Sequence, residues 1–356
     1  MIESEILFRD IQEIEQNIGV MIEELKGTTL LLTGAYGMIA SYIVYLCAYL
    51  NNYKSYGIKL IVIVRSREKF LKKFVGVNLG FVEILENDLS SAVEFDGDID
   101  YIIHAASLAS PQHYAVRPIE VFMPNLFGTK FLLDLAVKKN IRSFLLFSTG
   151  DVYGFPPQKE FIDESDYGVM DPLDIHSCYS ESKRMAETIC KSYLQQKNVP
   201  VKIARIWHTY APSMDIENDP RVFASFVKNI VNNEDIVMYS DGSSKRCFTY
   251  ITDAIAGYLT IMLKGKNGEA YNVCNTSQVL RMDELANILV NIKPELNLKV
   301  VKKQRDSGES YTENNLAPKL YPTPCNNKLQ SLGWKPYVEV SNGFERVIDY
   351  LYNRQS

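Results

Sequence analysis

Tyr179 and Lys183 stand four residues apart in SCYSESKRMAET. On a helix they share one face. An ammonium beside a phenol stabilises the phenolate and lowers the tyrosine pKa towards the range of a general base. A second polar cluster closes the run FLLFSTGDVYG (144–154), where apolar residues stop abruptly at Ser148, Thr149, Gly150 and Asp151. A run of this kind reads as a buried strand whose end reaches a place that needs polar groups. In parallel α/β sheets that place is the crevice beyond the strands' carboxyl ends. The third candidate is the turn TGAYGMIA (33–40). Gly34 permits a tight turn, Gly37 lets the backbone come close to a pyrophosphate, and the helix opening at Tyr36, Met38 and Ile39 offers free N–H groups and a favourable dipole.

Other strand ends are polar or small as well. NDLSS (87–91) places Asp88, with Leu89 beside it, where a carboxylate accepts a hydrogen bond from an adenine amino group. HAAS (104–107) presents Ala105, Ala106 and Ser107, small enough for a flat cofactor to pass closely. Asn125, opening NLFGT, reads as a cap that ties two strands together.

The elements that must hold these groups follow from periodicity. Apolar residues from Ile6 to Leu25 recur at helical spacing, so residues 1–27 read as an N-terminal helical extension. Strands are expected at 28–34, 59–64, 81–85, 100–107, 142–148 and 201–206, with helices at 41–50, 125–139 and 177–197. This alternation indicates a doubly wound parallel sheet over 28–205. Residues 206–356 read mostly as a smaller lobe closing over the sheet's C-terminal edge, with segments around 236–262 returning to the main domain.

Composition narrows the function. The chain has 356 residues, 46% hydrophobic and 23% charged, with a net charge of −5 and no long basic run. Neither nucleic acid nor an anionic membrane surface is a natural partner. No apolar stretch reaches spanning length, and the acidic N-terminus reads against export, so a cytoplasmic setting is expected. Six dispersed cysteines without a Cys-x-x-Cys pair read as reduced thiols, and four unpaired histidines give no metal site.

With TGAYGMIA, NDLSS, HAAS, NLFGT, STGDVYG, YSESK, ARIWHTYAP and SDGSSKRCFTYITDA in this order, the chain resembles the extended short-chain dehydrogenase/reductase superfamily. That group contains the nucleotide-sugar epimerases, dehydratases and decarboxylases. The likeness runs from about residue 28 to 350 and is strongest to the UDP-glucuronate decarboxylases. It implies a Rossmann-type sheet with a C-terminal substrate lobe, bound NAD, and oxidation of a nucleotide-diphosphate sugar at C4. By that resemblance Tyr179 is the base, Lys183 holds the nicotinamide ribose, Thr149 bonds the sugar hydroxyl, and Ser148 lies at the cofactor. Arg246 falls where relatives bind the diphosphate, Arg221 lies close behind, and His208 replaces a usual asparagine. Long helices around 116–139 and 177–197 resemble those that pair in homodimers of the superfamily.

Departures keep several outcomes open. Gly150 stands where dTDP-glucose dehydratases carry an acid, and Asp151 where decarboxylases carry glutamate, so any proton Asp151 handles must come closer or pass through water. The second strand ends in Arg65 and Arg67 rather than an acid. Either they receive a 2′-phosphate, which admits NADP, or they point to solvent. Tyr321 takes the place of a late arginine of the decarboxylases, with Lys319 nearby. A 4-epimerase or a 4,6-dehydratase serving surface polysaccharide precursors is the alternative outcome. A non-catalytic dinucleotide-binding scaffold or sensor is the alternative of another class, and intact Thr149, Tyr179 and Lys183 argue against it.

Overall fold

The apolar runs of the sequence become the strands of one sheet. A computed structural model describes residues 4–155, 159–303 and 322–355. Its main sheet has β1 (Thr29–Thr33), β2 (Lys59–Val64), β3 (Val82–Glu86), β4 (Tyr101–His104), β5 (Ser143–Thr149), β6 (Val201–Ile206) and β7 (Ala270–Val273). They lie in the order β7-β6-β5-β4-β1-β2-β3, every pair parallel. The first six were expected; β7 was not. β5 is buried at all its positions, which explains why it shows no alternation. The strand order reverses between β1 and β4, so the crevice of the fold opens there.

Helices cover both faces. They include α1 (Glu5–Ile18), α2 (Met38–Lys54), α3 (Thr129–Lys139), α4 (Ser177–Lys197), α5 (Ile251–Lys264) and α6 (Val340–Gln355). α2 is buried at every residue from Ala40 to Leu50, as an apolar helix enclosed by its neighbours must be. A π-helical turn, Pro124–Gly128, leads into α3. Asn125 there does not tie two strands: its Nδ2 donates to the Val121 carbonyl and to Ser182 Oγ, both at 3.0 Å, and so joins that turn to α4.

The segment expected to return at 236–262 divides. Ile236–Met238 pairs with Val300–Lys302, and Lys245–Tyr250 lies between His208–Tyr210 and Val279–Arg281, in two small sheets outside the main one. Only α5 packs back on the sheet, followed by β7 at its edge. Among the described residues no helix is long and apolar enough to cross a membrane. The six cysteines are free thiols, and Tyr321 and Lys319 lie outside the described residues.

The N-terminal helix is shorter than expected. Ser4 caps it by accepting from the Leu7 N–H, and Gly19, at φ +61°, ends it before a 3₁₀ stretch over 19–25. Its buried face carries Leu7, Ile11, Ile14 and Ile18, and among them a wholly buried acid, Asp10. One Asp10 oxygen accepts from the hydroxyls of Tyr42 on α2 (3.2 Å) and Tyr250 (2.7 Å), the other from Arg346 on α6 (3.1 Å). One carboxylate thus binds α1 to the glycine-turn helix, to the lobe strand and to the last helix. Burial pushes its pKa up to about 6 against the pull of those partners. Removing it leaves two buried hydroxyls without an acceptor. Asp10→Ala is expected to cost on the order of 3 kcal/mol in chemical denaturation, whereas Glu5→Ala on the exposed side of α1 should leave the midpoint in place.

Candidate active site

β1 runs through Thr33 into Gly34, which takes φ +68°. A Cβ there would come within 2.9 Å of Ala106 Cα, so only glycine fits this approach of two strand ends. Thr33 holds them together: its Oγ1 accepts from the N–H groups of Ala105 (3.0 Å) and Ala106 (2.9 Å) and bonds His104 Nδ1 at 2.9 Å. Gly37 is the N-cap of α2 with no side-chain cap of its own, which leaves the helix's first N–H groups to another acceptor. Beyond these ends opens a cleft of about 990 Å³.

The cleft brings together most of the residues singled out in the sequence. Gly34, Gly37, Met38, Ile39, Ala105 and Ser107 line it. Ser148, Thr149, Asp151, Tyr179 and Lys183 line it as well, and so do His208, Arg221 and Arg246. Ser107 Oγ and His208 Nδ1 are buried there without a hydrogen-bond partner. Positively charged and unpartnered polar groups beside a helix N-terminus suit a phosphate-bearing ligand, so the residues present fit a dinucleotide.

Five expected cofactor residues do not line the cleft. Tyr36 packs on the core and Ala106 backs Gly34. Leu89 is buried, with a Cβ on Gly128 falling 3.1 Å from its own Cβ. Asp88 is exposed and turned to its own loop, its Oδ1 accepting from the Ser90 N–H at 2.9 Å and hydroxyl at 2.6 Å. Those two bonds come first in holding its pKa below the usual carboxylate range, and the nearby charge of Arg65 adds to them. Arg65 and Arg67 are both exposed.

Within the cleft, α4 carries Tyr179 and Lys183 on one face, as their spacing requires. The tyrosine ring stacks on Tyr114, centroids 5.0 Å apart and nearly parallel at 11°. Here the sequence expectation needs correction. Burial, and then the charge of Asp151, raise the Tyr179 phenol above its ordinary pKa, while the Thr149 hydroxyl opposes them. Lys183 donates to the Phe147 carbonyl at 2.7 Å, and burial lowers its own pKa to about 7 against the pull of Glu187.

Asp151 is the second residue of the 3₁₀ turn Gly150–Tyr153 after β5, its N–H donating to Thr149 Oγ1 at 3.2 Å. The carboxyl is open to the cleft yet set deep in protein, and desolvation raises its pKa despite the Thr149 bond and the Arg246 charge. Ser148 lines the cleft, and its Oγ donates to Glu187 Oε1 at 2.5 Å. Glu187 in turn takes two bonds from Arg205, at 3.1 and 2.8 Å. Neither partner was picked out in the sequence, although Glu187 lies four residues beyond Lys183 on the same helix face. Arg221 is clamped by Asp219, and Arg246 donates to Ser244 Oγ at 2.6 Å.

The sequence profile of the NAD dependent epimerase/dehydratase family matches residues 30–274. UDP-glucuronic acid decarboxylase 6 of Arabidopsis thaliana is 30% identical over 317 residues, 88% of this chain and 86% of that protein. A UDP-N-acetylglucosamine 4-epimerase from Methanobrevibacter ruminantium, solved with UDP-N-acetylmuramic acid, superposes with a TM-score of 0.76 at 22% identity, covering 92% of this chain and 99% of that one. A UDP-glucuronic acid 4-epimerase from Bacillus cereus, solved with UDP-glucuronic acid and NAD, gives a TM-score of 0.71 at 21% identity, covering 92% and 100%. The two structures establish the shared fold.

Burial, with the charges of Arg246 and Arg221, lowers the pKa of His208 to about 3, so its ring stays neutral throughout the working range. His208→Asn is therefore expected to change KM without altering the shape of the pH–rate profile above pH 5. A limb between pH 5 and 8 that vanished in the variant would overturn this assignment.

Proposed function

The chain belongs to the NAD-dependent epimerase/dehydratase family, and from that premise we propose that it acts on a nucleotide-diphosphate sugar as a UDP-glucuronate decarboxylase. One observation carries the reading. Thr149, Tyr179 and Lys183 share one cleft with Arg246, Arg221 and His208, in a chain 30% identical to a UDP-glucuronic acid decarboxylase over most of both lengths. The sheet domain, 28–205 with α5 and β7, holds the dinucleotide, and the remainder of 206–356 binds the sugar nucleotide.

NAD, when bound, would supply a hydride acceptor that gives the hydride back to C4 after decarboxylation, and a positive charge at the sugar. Gly34, Gly37 and the start of α2 hold its pyrophosphate, and Lys183 its ribose. Thr149 Oγ1 and the Tyr179 hydroxyl bracket the C4 hydroxyl of the sugar, and Tyr179 takes its proton. Burial and Asp151 oppose the phenolate while the Thr149 hydroxyl favours it, and a positive charge beside the ring would favour it further. A ketone at C4 makes a carboxylate at C5 a β-keto acid. Its C–C bond then breaks with the electron pair moving into the carbonyl, a step that needs no base. Asp151, raised above the usual carboxylate range, holds the proton that the carbon takes up afterwards. Arg246 and Arg221 offer guanidinium forks to the diphosphate.

A second reading, a 4-epimerase, is favoured by Tyr321 standing where decarboxylases carry an arginine, since a neutral sugar asks for no such cation. A homodimer is supported by exposed apolar side chains near the expected helix pair, Ile119, Phe127 and Val137 towards α3 and Met185 on α4. Free thiols suit a cytoplasmic enzyme of polysaccharide precursor synthesis.

Incubation of the purified protein with UDP-glucuronate and NAD, followed by mass spectrometry, is expected to show loss of carbon dioxide. UDP-glucuronate returned unchanged beside interconverted UDP-hexoses would replace this reading with the epimerase. Tyr179→Phe is expected to lower kcat by at least about 100-fold while retaining bound NAD.

A further inference from the structure

Gly150 has no backbone reason to be glycine, because its φ is not positive. What excludes a side chain there is one neighbour. A Cβ on Gly150 would lie 2.9 Å from both Cδ2 and Cε2 of Trp207 and 3.1 Å from Cε3, inside the indole ring's contact surface. Such an approach forces the ring to move, and the ring is held. Trp207 Nε1 donates to Asn272 Oδ1 at 3.0 Å, and the Tyr153 hydroxyl donates to the same oxygen at 2.9 Å. Asn272 is wholly buried on β7, its Nδ2 donating to the Cys325 carbonyl at 3.0 Å and its N–H to Glu164 Oε1 at 2.7 Å. The Tyr153 ring lies 5.9 Å from the indole at 30° and carries the Arg205 guanidinium 4.8 Å from its centroid. Gly150 and Tyr153 are the two ends of the turn that bears Asp151.

We infer that Trp207 is a positioning residue for the reaction: anchored by Asn272, its indole supports the Gly150–Tyr153 turn, sets where the Asp151 carboxylate stands, and reserves position 150 for glycine. The inference rests on the sugar-nucleotide reading of the cleft and adds to it the origin of the site's single carboxylate at this strand end. Removal of water across two carbons calls for a base at one and an acid at the other. Loss of carbon dioxide from a β-keto acid, or turnover of a ketone, calls for one proton at one carbon. A strand end that has room for Asp151 but none for a second functional group beside it suits the latter two outcomes.

A double-mutant cycle between the two positions tests this on whichever UDP-sugar the wild type turns over. Gly150→Ser alone is expected to lower kcat at least tenfold with KM changed less than threefold, since the phosphate-binding side is untouched. Trp207→Leu alone should lower kcat by about three- to tenfold, because the turn loses its support. Gly150→Ser combined with Trp207→Leu should recover to within about threefold of Trp207→Leu, as the serine then has space. A serine that acted through some contact other than the indole would not be rescued by removing the ring. Iodide quenching supplies a readout independent of turnover, because it reaches the half-buried Trp207 and not the buried Trp334. Gly150→Ser should make the indole more accessible as it leaves Asn272. Full activity and unchanged quenching in Gly150→Ser, or a double variant no better than Gly150→Ser, would overturn the inference. If UDP-glucuronate is refused but another UDP-sugar is converted, the decarboxylase reading falls while the cycle still decides the role of Trp207.

Discussion

The cleft depends on a contact between two strand ends. Thr33 ends β1, Ala105–Ala106 directly follow the parallel neighbour β4, and the Thr33 hydroxyl draws the two ends together by accepting both alanine N–H groups. Backbone then meets backbone so closely that Gly34 has no room for a Cβ. This contact fixes where α2 begins and how far its N-terminus stands from β5 and α4. It also buries His104, whose pKa falls to about 3 through desolvation and the charge of Lys183. A neutral ring at this point adds no positive charge of its own to the dinucleotide crevice.

The cleft also obeys a different constraint, the burial of charge. Lys183, Glu187 and Arg205 lie beneath the end of β5 with little access to water, and ions so placed must be paired or bonded. Glu187 meets the requirement for three neighbours at once, taking two bonds from Arg205 and one from Ser148, and its charge counters the desolvation of Lys183. Ser148 is therefore a member of this network as well as of the cleft lining, which it shares with Thr149. The same arginine supports Tyr153 from below. The turn that presents Asp151 is thus held from both sides, by Arg205 under the tyrosine and by Trp207 against Gly150. Distances at the reaction centre follow from these buried partners more than from the loop itself.

The N-terminal extension has a comparable logic. Asp10 collects bonds from α2, from the strand Lys245–Tyr250 and from α6, so the helix that opens the dinucleotide turn and the strand that carries Arg246 share one buried acceptor. Glu13 reinforces it through Thr252 and Arg346. The extension acts as a brace between the two sides of the cleft at a distance from both.

Local pattern was enough for the sheet. Continuous apolar runs, glycine turns and helical spacing are properties of short segments, so six strands, the glycine turn and the shared face of Tyr179 and Lys183 were legible in the residues alone. The order of motifs along the chain was likewise enough for the family. What local pattern could not carry were pairings across large sequence separations: β7 joining the edge of the sheet, Asn125 reaching Ser182, Ser148 turning to Glu187, and Asp10 binding four elements into one knot. The pKa values of Tyr179 and Lys183 belong to the same class. Their spacing favours a lowered phenol, but burial depth and the placement of Asp151 and Phe147 reverse it, and desolvation is a property of the whole packed structure. The sequence by itself determined which groups are present and in which order. The tertiary structure decided which of them lose water, and therefore which are charged.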